Sequence, residues 1–469
     1  MEQRRKIIVA GAGPAGLTAA IFAARQGAEV TILEGMERPG KKLLLTGNGR
    51  CNITNLDKQL PEAYYGSGRE IAASLTRAFG AEEVCRFFEE LGLLTQEKNG
   101  YVYPYSAQSG AVLEVLLSEV RRLKIKLKLS ERIVAVYSTK TLHKDRKPIE
   151  SKNASDSRIN FCECMDYIAE NQIGNPWTVE TATWKYQADA VIITCGSKCV
   201  PATGSDGSGY TLAESLGHRI VPVAPALVRV TCRFDELQNL AGVRCRAKVS
   251  LFKAGTKKGG QRTFLASEIG ELQWTKYGLS GIVVFQLSRF VSNAAPNEKL
   301  NFELDLLPEF DSEQIRNLLL NRSKQIPNEK ASVLLNGLLN DKLIPVILKE
   351  ADKILTAEQE PSEKGKNKKK IRSLTKYICS ELSEIQLDAV IQAMKRMELP
   401  ITGTKSFDTC QVCSGGVDCH ELNPETLESR FHEGLYFAGE IVDVDGPCGG
   451  YNLQWAWSSG YAAGCAAAK

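Results

Sequence analysis

The pattern of apolar residues at the start of the chain predicts a strand, a helix and a second strand. Residues 6–10 (KIIVA) are apolar and β-branched, as in a buried strand. Residues 17–27 (LTAAIFAARQG) follow the alanine-rich pattern of a helix that ends at Gly27, and residues 28–35 (AEVTILEG) predict a second strand. This order is that of a βαβ unit, from which parallel sheets are built.

The pattern changes several times further along the chain. Residues 222–306 alternate between apolar and polar positions, which predicts antiparallel strands, whereas residues 311–398 place apolar residues three and four positions apart, which predicts helices. Residues 401–417 return to a strand-like pattern. Two polar stretches interrupt these elements: residues 138–176, which we interpret as a hairpin insertion, and residues 361–370, a basic linker that we interpret as a solvated loop.

A glycine-rich motif lies between the first predicted strand and its helix. Its six residues are Gly11, Ala12, Gly13, Pro14, Ala15 and Gly16. In the dinucleotide-binding fingerprint the first glycine permits a tight turn, the second lets the backbone approach a pyrophosphate, and the third lets the helix pack against the strand. Glu34, at the end of the second strand, can accept hydrogen bonds from ribose hydroxyls. The sequence therefore predicts a dinucleotide site.

The residues after Glu34 favour FAD over NAD. Gly40, Lys41 and Lys42 follow the second strand closely enough to reach the pyrophosphate side of a cofactor. A second glycine-rich turn comes next, which a simple NAD-binding unit does not need but an extended flavin does. Its predicted cofactor contacts are Thr46, Gly47, Gly49, Arg50, Cys51 and Asn52.

The end of the chain predicts the other half of the same site. A short strand, LYFAG, leads to Gly439 and Glu440, whose carboxylate can hydrogen-bond a ribityl hydroxyl. A helix then opens with N–H groups that would face the pyrimidine end of a flavin and stabilise negative charge at N1 and O2. The residues at this opening are Gly449, Gly450, Tyr451, Asn452 and Leu453.

A third element, residues 188–218, reads as a strand, a glycine turn and a helix. Many FAD proteins have Ala-Thr-Gly where the chain leaves the cofactor domain, and this chain has Thr194, Cys195 and Gly196. The glycine is kept, so we expect Cys195 and Gly196 to contact the cofactor.

Together these segments resemble a bacterial family of NAD(P)/FAD-dependent oxidoreductases. That family includes aminoacetone-oxidase-like proteins and BaiN-like bile-acid double-bond reductases. The resemblance extends over the whole chain, and GNGRCNITN and GPCGGYNLQWAWSSG are its most specific segments.

The resemblance implies an α/β fold with three domains. A discontinuous Rossmann-type FAD-binding domain would comprise residues 1–200 and 405–469, an antiparallel β-rich insert residues 201–307 with about 396–412, and a small helical insert residues 308–395. It also implies that the backbone near Ile133 contacts the adenine.

Composition narrows the class of protein. Of 469 residues, 43% are hydrophobic and 24% charged, which is ordinary for globular proteins and excludes a collagen, a coiled coil or a wholly disordered chain. The 59 Lys and Arg against 55 Asp and Glu disfavour nucleic acid as the default partner. No apolar run approaches the ~20 residues that a membrane span requires. We expect a cytoplasmic protein with a small-molecule substrate.

Fourteen cysteines in a long chain without a signal-peptide pattern indicate reduced thiols, and four histidines disfavour a histidine-rich metal centre; we predict no metal. Cys410 and Cys413 form a C-x-x-C pair. A zinc site with Cys419 and His420 and a redox pair that feeds the flavin are both conceivable. Because the surroundings alternate as in a strand, buried thiols are the favoured interpretation.

Three functions stay open at this level. The first is NAD(P)H-dependent reduction of a conjugated C=C bond through flavin N5, the second an aminoacetone-type amine oxidase that uses O2, and the third a non-catalytic or RNA-associated FAD protein. No second GxGxxG motif is present, so a nicotinamide would dock transiently. Tyr451 is a candidate proton donor, although packing against the flavin edge is favoured.

Overall fold

The computed structural model describes residues 4–138, 176–255, 261–358 and 372–469. The predicted hairpin insertion, which includes Cys162 and Cys164, lies outside the described residues except for its two ends. The basic linker at 361–370 lies wholly outside them.

The described residues form nineteen strands and twelve α-helices. The strands are β1 (Lys6–Ala10), β2 (Glu29–Leu33), β3 (Thr54–Asn55), β4 (Thr95–Lys98), β5 (Tyr101–Pro104), β6 (Lys126–Lys128), β7 (Ile133–Ser138), β8 (Trp177–Thr181), β9 (Lys185–Ala188), β10 (Ala190–Ile193), β11 (Ile220–Ala226), β12 (Val230–Cys232), β13 (Arg244–Lys253), β14 (Thr263–Thr275), β15 (Gly278–Ser280), β16 (Leu300–Asp305), β17 (Met397–Thr404), β18 (Val412–Val417) and β19 (Leu435–Phe437). The helices are α1 (Pro14–Arg25), α2 (Lys41–Leu45), α3 (Arg69–Ala78), α4 (Ala81–Glu90), α5 (Ser109–Arg122), α6 (Ser208–Ser215), α7 (Leu237–Leu240), α8 (Ile282–Ser292), α9 (Ser312–Gln325), α10 (Ile344–Glu358), α11 (Glu384–Lys395) and α12 (Tyr451–Ala467).

These elements divide into two compact units. The first contains residues 1–223 and 413–469, and the second contains residues 224–412. The two ends of the chain therefore fold together, and the middle is inserted between them. The helices α9–α11 belong to the same unit as the β-rich segment, so the three-domain division stays a prediction.

A parallel sheet with strand order β19-β10-β1-β2-β6 is the centre of the first unit. Ile7 of β1 stands opposite Val30 of β2 on one side and Ala190 of β10 on the other. The central strands β1, β10 and β19 are short and almost entirely apolar, as expected where a sheet is covered on both faces, whereas the edge strand β6 carries two exposed lysines. Because the strands are parallel, the turns that follow β1, β2, β10 and β19 meet at one edge of the sheet.

Small residues allow α12 to pack directly on α1. A Cβ at Gly460 would lie 2.5 Å from the carbonyl oxygen of Ala15, and one at Gly464 would lie 2.3 Å from that of Ala19. Only glycine permits this approach of the two backbones. Both helices start at the edge of the sheet where the turns meet.

The second unit contains a closed barrel with strand order β12-β15-β14-β13-β16-β17. All of its pairings are antiparallel, and its core is built around Trp274 and Phe302, both fully buried. The helices of this unit contribute the rest of one continuous apolar core.

The parallel Rossmann-type sheet and the antiparallel insert confirm the predicted α/β fold class. Within the residues that the structure describes, every helix is too short or too polar to cross a lipid bilayer.

Candidate cofactor-binding site

The first glycine-rich turn has the geometry that its sequence predicts. Gly11 has φ +106°, and its N–H donates to the Leu33 carbonyl over 2.8 Å. A Cβ at Gly16 would stand 2.0 Å from the Gly11 carbonyl oxygen, so α1 packs against the turn at a distance that excludes any side chain. Gly13 differs from both, because no protein atom lies within 4 Å of its Cβ position. The start of α1 is thus open at Gly13.

Glu34 lies beside this turn at the end of β2. Its carboxylate accepts the N–H of Ala12 over 2.8 Å and that of Met36 over 2.9 Å. Burial raises the pKa of Glu34, and the hydrogen bonds from the two N–H donors act to lower it. The side chain is therefore held in place by the backbone while its remaining lone pairs can accept ribose hydroxyls.

The two lysines after β2 have different surroundings. Lys41 Nζ contacts Glu37, an exposed residue, over 3.1 Å. Lys42 Nζ donates to the Glu440 carboxylate, which also accepts a hydrogen bond from Ser197 Oγ over 3.4 Å. Burial acts to lower the pKa of Lys42, but the Glu440 carboxylate outweighs it and the pKa is raised. Two residues that were predicted separately, Lys42 and Glu440, thus form one ion pair.

This pair gives a testable difference between the two lysines. We expect Lys42→Met to lower the free energy of unfolding by about 1–3 kcal/mol, because a largely buried Glu440 carboxylate would lose its counter-charge. Lys41→Met is the matched control, because an exposed i,i+4 pair contributes at most about 0.5 kcal/mol. Urea unfolding of both variants measures this difference, and equal losses would contradict the assignment.

The second glycine-rich turn, which starts at Thr46, winds through left-handed backbone. Gly47 and Cys51 have φ +57° and +58°, and the Cys51 N–H closes the turn by donating to the Thr46 carbonyl over 3.1 Å. Burial raises the pKa of Cys51 to about 12, so its thiol is inert and packs as a small apolar group. Arg50 is exposed, whereas Asn52 is buried.

This turn packs directly against the start of α12. Asn55 Nδ2 donates to the Gly449 carbonyl over 2.9 Å, and Trp457 Nε1 donates to the Ile53 carbonyl over 2.9 Å. A Cβ at Gly450, where φ is +97°, would lie 2.6 Å from the carbonyl carbon of Thr54. Segments from opposite ends of the chain therefore form one surface.

Tyr451 opens α12 and is held at both ends. Its hydroxyl donates to Asp57 over 2.9 Å, and its carbonyl accepts the hydroxyl of Tyr64 over 2.8 Å. Burial, with the Asp57 carboxylate, raises the pKa of Tyr451 above its ordinary value. Asn452 fixes the preceding loop, because its side chain bonds both the N–H and the carbonyl of Gly446, each over 2.8 Å. Leu453 packs on the apolar core of this unit.

The loop after β10 approaches the first turn. The N–H of Thr194 donates to the Ala10 carbonyl over 2.9 Å, and Gly196 follows with φ +73°. Burial raises the pKa of Cys195 to about 12. In the loop after β19, a Cβ at Gly439 would lie 2.7 Å from Cβ of Ala15. Ile133 begins β7. Its neighbour Arg132 forms an ion pair over 2.7 Å with Asp206, which lies in the loop after β10.

The structure therefore brings the turns after β1, β2, β10 and β19 together at one edge of the parallel sheet, and it packs the segment after the second glycine-rich turn against the start of α12. Sequence reasoning missed Ser197, Asn55 and Tyr210. Asn55 ends the specific segment GNGRCNITN, and Ser197 follows Gly196 directly, so both could have been included from position alone. No such signal marks Tyr210.

The residues present fit FAD. Asn52 Oδ1 is buried and has no hydrogen-bond partner within the described part of the chain, which is costly unless a ligand supplies a donor. The open start of α1 at Gly13 suits an anionic pyrophosphate, which helix N-termini bind.

The cysteines of the C-x-x-C pair are both buried and form no disulfide. Cys410 Sγ donates to the Phe407 carbonyl over 3.3 Å, and Cys413 belongs to β18. His420 Nδ1 bonds its neighbour Asp418 over 2.8 Å. Within the described ranges, no group of three or more His, Cys, Asp or Glu side chains is arranged to hold a metal ion.

Comparison with known proteins identifies the family. The chain matches the family described as HI0933-like protein Rossmann domain over residues 5–160 and 153–466. The chain belongs to this family. The match agrees with the geometry of the first turn and confirms the resemblance to flavoprotein oxidoreductases stated from the sequence.

Three curated relatives match along their full length. A 3-dehydro-bile acid delta(4,6)-reductase from Clostridium scindens is 38% identical over 467 residues, which cover 99% of each chain. A ribosomal RNA dihydrouridine synthase from Haemophilus influenzae is 26% identical and covers 98% of each chain. Its namesake from Escherichia coli is 27% identical and covers 98% of this chain and 97% of its own. The chain is an enzyme of the FAD-dependent oxidoreductase class.

Proposed function

We propose that the protein uses NAD(P)H to reduce a conjugated C=C bond, Δ4 or Δ6, in a 3-oxo-Δ4 or 3-oxo-Δ4,6 bile acid or related steroid. The observation that carries this proposal is the open first turn at the edge of the parallel sheet together with the packing of residues 53–55 against the start of α12, because an extended flavin needs both. Support for the substrate class comes from the bile-acid reductase, which is 38% identical along the whole chain.

Each part of the site has a task in this proposal. The turn at Gly11–Gly16 would hold the pyrophosphate, Glu34 the adenosine ribose and Glu440 the ribityl chain. The N–H groups at the start of α12 would face the pyrimidine ring and stabilise negative charge there. FAD, when bound, supplies hydride transfer through N5, and the protein binds, orients and excludes water.

A second candidate is the reduction of uridine in RNA. Two relatives at 26% and 27% identity are ribosomal RNA dihydrouridine synthases. A uracil ring and a 3-oxo-Δ4 steroid both contain a C=C bond conjugated with a carbonyl, so one flavin site can serve either. The near balance of 59 basic and 55 acidic residues favours the small molecule, since RNA binding generally uses a strong positive field.

Flavin bleaching under anaerobic conditions separates these reactions from an oxidase. We expect NADH or NADPH to bleach the flavin rapidly and aminoacetone to leave it oxidised. Bleaching by aminoacetone alone would instead assign the protein to the amine oxidases. No bleaching by any donor would leave an FAD-binding protein without this activity, and the proposal would be wrong.

Reduction of a C=C bond also requires a proton for the second carbon of that bond. Replacing Tyr451 tests whether this residue supplies that proton. Because its hydroxyl is engaged by Asp57 and its pKa is raised, we expect Tyr451→Phe to lower kcat by less than about tenfold. Loss of a general acid would cost about 10²- to 10⁴-fold. Steady-state kinetics of Tyr451→Phe, compared with those of Asp57→Asn, distinguish packing from proton donation. A loss of the larger size would make Tyr451 the proton donor.

A further inference from the structure

Tyr210 has a buried hydroxyl that nothing in the described structure satisfies. It lies in the first turn of α6, where its N–H donates to the Gly207 carbonyl over 3.0 Å. The residue is only 7% exposed, and its hydroxyl has no hydrogen-bond partner among the described residues. A buried hydroxyl without a partner destabilises a fold, so an unsatisfied one in a ligand-binding unit calls for a ligand group.

The surroundings place Tyr210 near the candidate site. Gly209, its neighbour in the chain, has a Cβ position 2.8 Å from both Cβ of Cys195 and Cδ1 of Ile441. These two residues follow β10 and β19, the strands whose ends carry the predicted cofactor contacts. Glu440 and Asp443 are the carboxylates whose charges act on the phenol. Tyr210 therefore lies near the loop after β19, which contains Glu440.

The chemistry of this position favours donation by the hydroxyl. Burial, together with the nearby thiols and carboxylates, raises the pKa of Tyr210 well above its ordinary value. The phenol thus keeps its proton at all physiological pH values, and a neutral phenol is a strong donor to phosphate and hydroxyl oxygens.

We propose that the Tyr210 hydroxyl donates a hydrogen bond to an oxygen in the ribityl-pyrophosphate part of bound FAD. The inference rests on the proposed function, since it requires that FAD occupy the edge of the sheet. It adds to that function a positioning residue outside the two glycine-rich turns at residues 11–16 and 46–52.

Tyr210→Phe tests this role because it removes only the hydroxyl. We expect the cofactor-free protein to melt at the same temperature as the wild type or higher, since an unsatisfied polar atom is removed. We expect the dissociation constant for FAD, measured by quenching of flavin fluorescence, to rise about tenfold. The matched control is Tyr64→Phe: the Tyr64 hydroxyl donates to the Tyr451 carbonyl over 2.8 Å, so its loss lowers the melting temperature of the cofactor-free protein.

The outcomes separate this inference from the proposed function. If the wild type binds FAD and Tyr210→Phe binds it equally well within twofold, the proposed role of Tyr210 is wrong and the assignment as a flavoenzyme stands. Wild type that binds no FAD would overturn both. Should the variant fail to fold, 3-fluorotyrosine at position 210 replaces it: a ¹⁹F resonance that shifts on addition of FAD supports the contact, and an unchanged resonance contradicts it.

Discussion

Replacing Gly13 by alanine is expected to weaken FAD binding by about 10- to 100-fold and leave the fold unchanged. No protein atom lies within 4 Å of the Cβ position, and φ is −80°, which alanine adopts readily. The protein alone therefore gives no reason for glycine here. A pyrophosphate against the start of α1 does give one, because a methyl group would displace it from the N–H groups.

The expected size of the effect follows from the cost of overpacking. We predict a rise of about 10- to 100-fold in the dissociation constant for FAD, with a free energy of unfolding within about 0.5 kcal/mol of the wild type. Fluorescence titration and urea unfolding measure the two quantities. A Gly13→Ala protein that holds FAD as tightly as the wild type would show that the pyrophosphate does not lie at this turn.

In contrast to Gly13→Ala, Gly16→Ala is expected to destabilise the fold itself. The added Cβ would stand 2.0 Å from the Gly11 carbonyl oxygen and 2.6 Å from Thr194 Oγ1. Both contacts are with groups that the sheet fixes in place, so α1 would have to move away from β1. We predict a loss of at least about 3 kcal/mol in the free energy of unfolding, or insoluble protein.

Gly110→Ala is the matched control for this prediction. Gly110 also lies in the first turn of a helix, α5, but no atom lies within 4 Å of its Cβ position. Alanine there is expected to be neutral or stabilising, since glycine is the poorer helix former. If Gly16→Ala unfolds in urea at the same midpoint as Gly110→Ala, the close packing of α1 on the turn would be wrong.

The sequence predicted those parts of the site that depend on local backbone. Gly11, Gly13 and Gly16 sit at fixed spacing between a strand and a helix, and that spacing alone determines their tasks. In each case a residue type reports on its own φ or on its own close contact.

What the sequence could not predict are pairings between distant segments. Lys42 and Glu440 were each assigned to the cofactor, but nothing in either segment indicates that the two form an ion pair. Tyr210 carries even less signal, since a tyrosine in the first turn of a helix usually packs on a core. Its importance depends on an unsatisfied hydroxyl, which only the surrounding elements reveal. Closure of the barrel between β12 and β17 is likewise a long-range pairing.

The most direct test of the proposed function is a half-reaction without oxygen. The FAD-bound protein is reduced with one equivalent of NADH or NADPH and then mixed with a 3-oxo-Δ4,6 bile acid in a stopped-flow spectrometer. We predict that the absorption of oxidised flavin returns with the steroid and that the product carries two additional hydrogens. Absorption that stays bleached with the steroid and returns only when oxygen is admitted would contradict the assignment as a double-bond reductase.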